Sequence, residues 1–167
     1  MTSHAIAPMS KSFLVMTGML LLLPFVMLAT VGRVPEPAAY VMYAAIAFIV
    51  FLYALVWLWW RPSRFELGQD ALVIHWPLRQ RAFPYRELSY AELTDFERIH
   101  QQHGQGLRVG AGGLFGAFGR YVTKKTTLLM YVSRMDRLVL VAGRGQPLII
   151  SPADPEDFVV RLLQRLR

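Results

Sequence analysis

The chain has 167 residues and a formal net charge of +7, contains no cysteine, and is 54% hydrophobic. The lack of cysteine excludes disulfides, thiolate metal sites, thiol nucleophiles and lipidation of cysteine. Because a soluble domain of this size is seldom so apolar, and the excess precedes residue 61, the composition predicts a membrane part followed by one polar domain.

Two uncharged runs, residues 13–31 and 38–60, are each long enough to span a hydrocarbon core about 30 Å thick. The second run carries tyrosines near its start and tryptophans at its end, where amphipathic rings favour the headgroup layers. Pro24 is expected to kink the first run. The alternative interpretation of residues 13–31 is a cleaved signal peptide preceded by Lys11. Residues 1–12 are predicted to be a short mobile tail.

The connection at residues 32–37 is so short that the two spans must form an antiparallel hairpin. Lys11 flanks the first span, and Arg61 and Arg64 follow the second. Because cytoplasmic flanks carry an excess of Lys and Arg, this distribution predicts a multi-pass protein of the cytoplasmic (inner) membrane with both termini in the cytoplasm. If the first run were cleaved, residues 61–167 would still form a cytoplasmic domain.

Within residues 61–167 the apolar pattern changes to the period of two that is typical of strands. Seven antiparallel strands are predicted at residues 64–67, 71–76, 80–85, within 88–99, 127–134, 137–142 and 147–151, whereas 100–119 is predicted to be a loop. Arg79, Arg81 and Arg86 lie among the aromatic residues of the third strand. A C-terminal helix is predicted from Asp154, which can cap its free amides, with Pro155 in the first turn. Its apolar stripe must pack on the sheet, which gives an α+β fold.

Four features carry a resemblance to a known family: the opening hairpin with FEL at 65–67 and LVI at 72–74, FPYREL at 83–88, GGLFGAFGRY at 112–121, and ISPADPEDF at 150–158. Behind two spans, this order resembles the bacterial pleckstrin-homology-like domains of small, largely uncharacterised membrane-anchored proteins. The resemblance implies a half-open barrel of two bent sheets with the terminal helix plugging one end, and a binding module instead of an enzyme. The acidic first turn, residues 68–70, departs from phosphoinositide-binding members, so that specificity does not carry over.

The most unusual stretch is rich in glycine between residues 104 and 125, and residues 98–134 contain six basic side chains and no acidic one. Tethered beneath a bilayer, such a loop can meet anionic headgroups, with each Lys or Arg contributing roughly 1 kcal/mol. The hypothesis assigns anionic-lipid contact to seven residues: Arg108, Arg120, Lys124, Lys125, Leu114, Phe115 and Phe118. In the alternative interpretation the glycines permit unusual backbone angles, and Leu114, Phe115 and Phe118 pack in the domain core.

Other chemistries lack the residues they need. The glycine spacing fits neither a P-loop nor a dinucleotide fingerprint. His100 and His103 lack further metal ligands nearby, since the closest candidates are Asp95 and Glu97. No paired carboxylates or activated nucleophile are evident, so no catalytic, cofactor-binding or metal residue is assigned, and we expect no enzyme and no cofactor. The positive-inside rule accounts for the net positive charge of the chain, so we expect no nucleic-acid binding.

The sequence thus predicts a non-enzymatic, membrane-anchored binding module that orients at the cytoplasmic membrane surface through the basic glycine and aromatic loop. Its expected partners are the lipid bilayer, anionic lipid headgroups and an unidentified membrane or cytoplasmic protein. The alternative is a protein interaction module, or an accessory subunit of a larger membrane complex, without lipid recognition. Small residues at Gly18, Ala44, Ala45 and Ala47 permit close helix packing. A transport role is a third option that the lack of ionisable residues within the spans disfavours.

Overall fold

The computed structural model describes residues 2–166, which begin with a short strand and two long helices. Helix α1 is Lys11–Thr30 and helix α2 is Glu36–Leu55. A 3₁₀ turn at Val31–Arg33 leads toward α2, and a π-helical turn at Val56–Trp60 extends its end. Both helices are long and apolar enough to cross a membrane.

The surfaces of these two helices are apolar and largely uncovered. Helix α2 buries none of its residues, and α1 buries only Phe13, Thr17 and Pro24. Large side chains such as Leu22 and Phe51 are each 60% exposed. A soluble protein would bury such faces, whereas hydrocarbon solvates them without cost.

The first of two sheets contains four antiparallel strands in the order β1-β2-β3-β4. Their bounds are Thr2–Ala5, Arg64–Leu67, Ala71–His75 and Gln80–Pro84. Alternation along β2 and β3 turns Phe65, Leu67, Leu72 and Ile74 inward, and all four are fully buried. This alternation is what the period-two pattern predicts for a sheet with one covered face.

The second sheet contains six strands in the order β5-β9-β10-β8-β7-β6. In chain order, β5 to β10 are Leu88–Thr94, Gly106–Gly112, Ala117–Thr123, Thr127–Val132, Leu138–Gly143 and Leu148–Ile150. Strand β10 lies between β8 and β9, parallel to β8 and antiparallel to β9. All three of its residues are buried, as expected for a central strand covered on both faces.

Two apolar clusters cover the two faces of this second sheet. The cluster between the sheets includes Phe65, Phe118, Ile150 and Phe158. The cluster on the outer face lies under helix α3, Phe96–His103, and includes Ile99 from that helix. Phe13 at the start of α1 packs into the same outer cluster, so the first long helix is joined directly to the domain.

The C-terminal helix α4, Pro155–Leu166, has the start that the sequence predicts. The Asp157 amide donates to Asp154 Oδ1 at 3.1 Å, which satisfies one free N–H of the first turn. Phe158 is fully buried and meets Phe65 of the first sheet edge to face. Two sheets with a covering terminal helix confirm the predicted α+β class and its pleckstrin-homology-like arrangement.

Three details of the prediction are wrong. Residues 1–12 are not simply a tail, because Thr2–Ala5 pair with Arg64–Leu67 and add an edge strand to the first sheet. The sheets contain ten strands among the described residues instead of about seven, and the β8–β10 pair is parallel. The predicted loop at 100–119 contains the end of α3, all of β6 and the start of β7, whose many glycines hide the strand pattern.

Candidate functional site

The glycine-rich segment forms the β6–β7 hairpin, and its tip is a tight turn at residues 113–116. The Gly113 amide donates to the Gly116 carbonyl oxygen at 2.9 Å and closes the turn. Gly113 and Gly116 have φ values of 96° and 144°, and Phe115 has a φ of 63°. Glycine adopts the first two values without steric cost, which explains its presence at these positions.

Helix α1 is hydrogen-bonded to this tip through one side chain. Thr17 Oγ1 donates to the Gly113 carbonyl oxygen at 3.1 Å and accepts from the Phe115 amide at 2.9 Å. Both bonds are buried. Met16 lies beside Gly113, whose missing side chain leaves room for it. The hydroxyl therefore replaces water for two backbone groups that the tip would otherwise leave unpaired.

Helix α2 contacts the same tip through aromatic rings. The Trp57 and Phe115 ring centroids are 4.8 Å apart in an edge-to-face arrangement. The Arg61 guanidinium lies 4.1 Å from the Trp57 ring centroid, and burial lowers the pKa of Arg61 from its ordinary value. Phe115 also lines an apolar groove of about 530 Å³ between α1 and α2. The tip is thus anchored to both long helices.

The end of α2 rests on a pair of glycines. Gly110 of β6 and Gly119 of β7 are directly opposite each other in the ladder. The Trp60 ring lies over both, so a side chain at either position would collide with the ring and with neighbouring backbone. Trp60 also accepts a 3.0 Å hydrogen bond at its carbonyl from Trp76 Nε1, which fixes the helix end to the first sheet.

The three apolar residues assigned to lipid contact are buried in the protein. Leu114 is 6% exposed, Phe115 is 9% exposed and Phe118 is fully buried. Phe118 belongs to the core between the sheets, while Phe115 is covered by the long helices. The structure corrects this part of the prediction, because Leu114 and Phe118 pack in the core between the sheets and Phe115 packs on that core and on Trp57 of α2.

The four basic residues assigned to lipid contact are exposed but do not form one cluster. Arg108 lies beside Gly112 near the tip, and Arg120 lies close to Trp60. Lys124 and Lys125 follow the other end of β7, which places Lys124 about 13 Å beyond Arg120 along the strand. Lys125 Nζ donates to the Gln102 carbonyl oxygen at 3.2 Å. Arg108 and Arg120 alone are near the ends of the long helices.

Two arginines to which the sequence assigned no role join Arg120 in a cavity of about 390 Å³. Arg79 follows β3 and Arg81 is on β4, while Trp59 and Trp60 supply the wall at the helix end. The mixture of arginine and aromatic residues around residue 80 was a usable signal. This signal did not show that Arg120 on β7 lies next to these residues, because only the tertiary fold brings β7 beside them.

Two of the histidines contact polar side chains of nearby strands. His100 Nδ1 is 3.4 Å from the Tyr121 hydroxyl on β7, and His75 Nε2 is 2.8 Å from Glu66 Oε2 on the neighbouring strand. Among residues 2–166, no group of three His, Cys, Asp or Glu side chains is placed to hold a metal ion.

Comparison with known families agrees with this architecture. Residues 63–166 match the family model described as Bacterial PH domain. The chain belongs to the bacterial PH domain family. Its PH domain thus includes nine of the ten strands and α4, while the matched region excludes β1 and the two long helices. The chain has no match among curated proteins or among solved structures. PH domains are generally non-enzymatic binding modules, and a PH domain joined to two long apolar helices fits a membrane-associated binding module.

Proposed function

We propose that this chain is a two-span membrane protein that holds its PH domain in one fixed orientation at the cytoplasmic face, with Arg108 and Arg120 toward anionic headgroups. The domain acts as a non-enzymatic binding module. Because the spans already keep it at the membrane, lipid contact sets the orientation of the domain and not its recruitment.

The observation that carries this proposal is the docking of the β6–β7 tip onto both long helices. Thr17 hydrogen-bonds to Gly113 and Phe115, and Trp57 packs on Phe115. A domain connected only by a flexible linker would tumble beneath the bilayer. Here buried bonds and packed rings resist rotation, so the surface beside the helix ends is kept toward the membrane.

The N-terminal strand supports the proposed topology. β1 lies in the same sheet as β2 to β4, so residues 2–5 and the PH domain must be on one side of any membrane that α1 and α2 cross. An even number of spans meets this condition. Removal of residues 13–31 as a signal peptide would also remove β1, together with the buried side chain of Phe13.

Single-cysteine labelling tests the topology, because the chain has no cysteine of its own. Gly32→Cys lies between the helices and Gly145→Cys lies between β9 and β10, and a Cβ added at either glycine meets no atom within 4 Å. We expect a membrane-impermeant maleimide to label Gly32→Cys from outside spheroplasts and Gly145→Cys only in inside-out vesicles. Labelling of Gly145→Cys in intact spheroplasts would contradict the proposal.

A second candidate function rests on the exposed edge strand β6. Leu107 and Val109 on this strand are 72% and 55% exposed, and β6 has one paired neighbour in the sheet. Such an edge can accept a strand from another protein, as a protein interaction module requires. A partner strand would slow the exchange of β6 amides in native membranes relative to the purified chain, whereas lipid orientation alone would leave those rates equal.

A further inference from the structure

The cavity that holds three arginines lies where the two sheets come together without pairing. Arg79 and Arg81 come from the turn and the start of β4, which is an edge strand of the first sheet. Arg120 comes from β7 of the second sheet, and Tyr131 of β8 also lines the cavity. Arginines that lie 39 and 41 positions before Arg120 in sequence therefore line the same cavity of about 390 Å³ as Arg120.

The three guanidinium groups form no ion pair within the described residues. Among residues 2–166, no carboxylate lies within 4.0 Å of Arg79, Arg81 or Arg120. The three side chains are exposed and solvent screens their mutual repulsion, but an anion in the cavity would be attracted to all three at once. The planar guanidinium fork matches the oxygens of phosphate in paired hydrogen bonds, which makes phosphate chemistry the best fit for this cavity.

Aromatic rings hold one of these arginines in place before any ligand arrives. The Arg79 guanidinium is 4.6 Å from the Trp76 ring centroid and 5.3 Å from the Trp59 ring centroid. Trp76 is itself fixed by its 3.0 Å hydrogen bond to the Trp60 carbonyl. Because a positioned cation loses little entropy on binding, this arrangement favours capture of an anion at the end of α2.

We propose that this cavity binds the phosphate group of an anionic phospholipid. This proposal rests on the proposed function, in which α2 spans the membrane. Trp59 and Trp60 end the candidate span Glu36–Trp60, so the cavity they line lies at the depth of the headgroups. A lipid phosphate is held at that depth at high local concentration, whereas free phosphate has to arrive from solution.

The test compares two charge-matched triple variants of the full chain. The first is Arg79→Gln, Arg81→Gln, Arg120→Gln. The control is Arg64→Gln, Arg86→Gln, Arg144→Gln, which removes the same charge from exposed positions that do not line the cavity. Each protein is reconstituted in bilayers of phosphatidylcholine with a minor fraction of phosphatidylglycerol, and the lipids retained after extraction are counted by native mass spectrometry.

We expect the unsubstituted chain and the control variant to retain phosphatidylglycerol in preference to phosphatidylcholine. In the first variant, the ratio of retained phosphatidylglycerol to phosphatidylcholine should fall by at least about tenfold. Equal retention by both variants, or no preference in the unsubstituted chain, would overturn the proposal. Displacement of the retained lipid by millimolar inorganic phosphate would reject a lipid as the source of the phosphate. Cysteine labelling of the same preparations reports topology independently, so a chain with the proposed topology but no lipid preference disproves the cavity site alone.

Discussion

At the scale of single residues, Thr17 joins helix α1 to the domain through two buried hydrogen bonds. Among the three buried residues of α1, Thr17 alone carries a polar side chain. Its hydroxyl contacts the backbone of a hairpin that lies almost a hundred positions later in the sequence. A threonine in an apolar helix usually bonds to a carbonyl of its own preceding turn, as Thr30 does with Val26 and Met27. Thr17 bonds to the domain instead, which marks it as a docking residue.

Thr17→Val should therefore loosen the hairpin tip while leaving α1 intact. The substitution preserves shape but leaves the buried Phe115 amide and Gly113 carbonyl without their partner, at a cost of about 1–3 kcal/mol. We expect amide exchange at Phe115 to accelerate at least about fivefold, as measured by hydrogen exchange in detergent micelles. Thr17→Ser keeps the oxygen and should exchange nearly as slowly as the unsubstituted chain. Unchanged exchange in Thr17→Val would show that the tip is held by packing alone.

The sequence identified the residues of this region more readily than their contacts. Arg120 and Phe115 were singled out because they lie among glycines, but nothing in the pattern distinguishes a ring facing lipid from a ring facing another helix. Both environments select the same apolar side chains. Thr17 gave no sequence signal either, because one hydroxyl in an apolar run is common, and its partners are distant along the chain.

At the scale of elements, the β6–β7 hairpin is shaped by the end of α2. Gly110 and Gly119 have φ values of 146° and 130°, and both leave space for the Trp60 ring. A side chain at Gly119 would meet the Val109 carbonyl oxygen as well as that ring. The two glycines thus serve backbone geometry and ring packing together, which is why the hairpin reads as a flexible loop in sequence but is a regular ladder in structure.

Gly119→Ala should destabilise the domain by about 1–3 kcal/mol, because alanine at this backbone angle is strained and its methyl group collides with the Val109 carbonyl oxygen and crowds the Trp60 ring. The measurement is the melting temperature of the solubilised chain together with tryptophan emission, which should shift to the red as Trp60 becomes more exposed. Gly145→Ala is the matched control, since a Cβ there meets no atom within 4 Å, and it should melt like the unsubstituted chain. Equal melting of the two variants would contradict the proposed packing.

Local signals explain which elements could be predicted from the sequence. The β2–β3 hairpin follows from strict alternation, and α4 follows from its cap at Asp154 and its apolar stripe. Helix α3 had a comparable cap, since the Arg98 amide donates to Asp95 Oδ1 at 2.7 Å, but its eight residues are too few to show a clear period. β10 was predicted, although its place between β8 and β9 depends on contacts that no local pattern encodes.

At the scale of the whole molecule, the N-terminal strand makes the pair of long helices part of the domain fold. Beyond β1, the Ala7 amide donates to the Ser151 carbonyl oxygen at 2.8 Å, and Ser133 Oγ donates to the Ala7 carbonyl oxygen at 2.6 Å. Ala7, Ser133 and Ser151 are all buried. Residues 2–7 therefore belong to the domain, the chain leaves the domain to form α1 and α2, and it re-enters the domain at β2. The segment that contains the two long helices is thus fixed to the domain at both of its ends.

Deletion of residues 2–7 should consequently loosen the PH domain, although it leaves both long helices complete. The deletion removes the antiparallel pairing between β1 and β2, and it leaves the buried hydroxyl of Ser133 without its acceptor at Ala7. We expect amide exchange in β2 to accelerate roughly tenfold, since each lost hydrogen bond contributes about 0.5–1.5 kcal/mol. The measurement is hydrogen exchange of the full chain in micelles. Ser3→Ala is the control, because Ser3 is exposed and its substitution keeps the ladder. If β2 exchanged at the same rate in the deletion variant, β1 would be an appendage to a domain that is complete from residue 61, and the helices would be held to the domain by the glycine hairpin, Phe13 and the Trp60–Trp76 hydrogen bond instead.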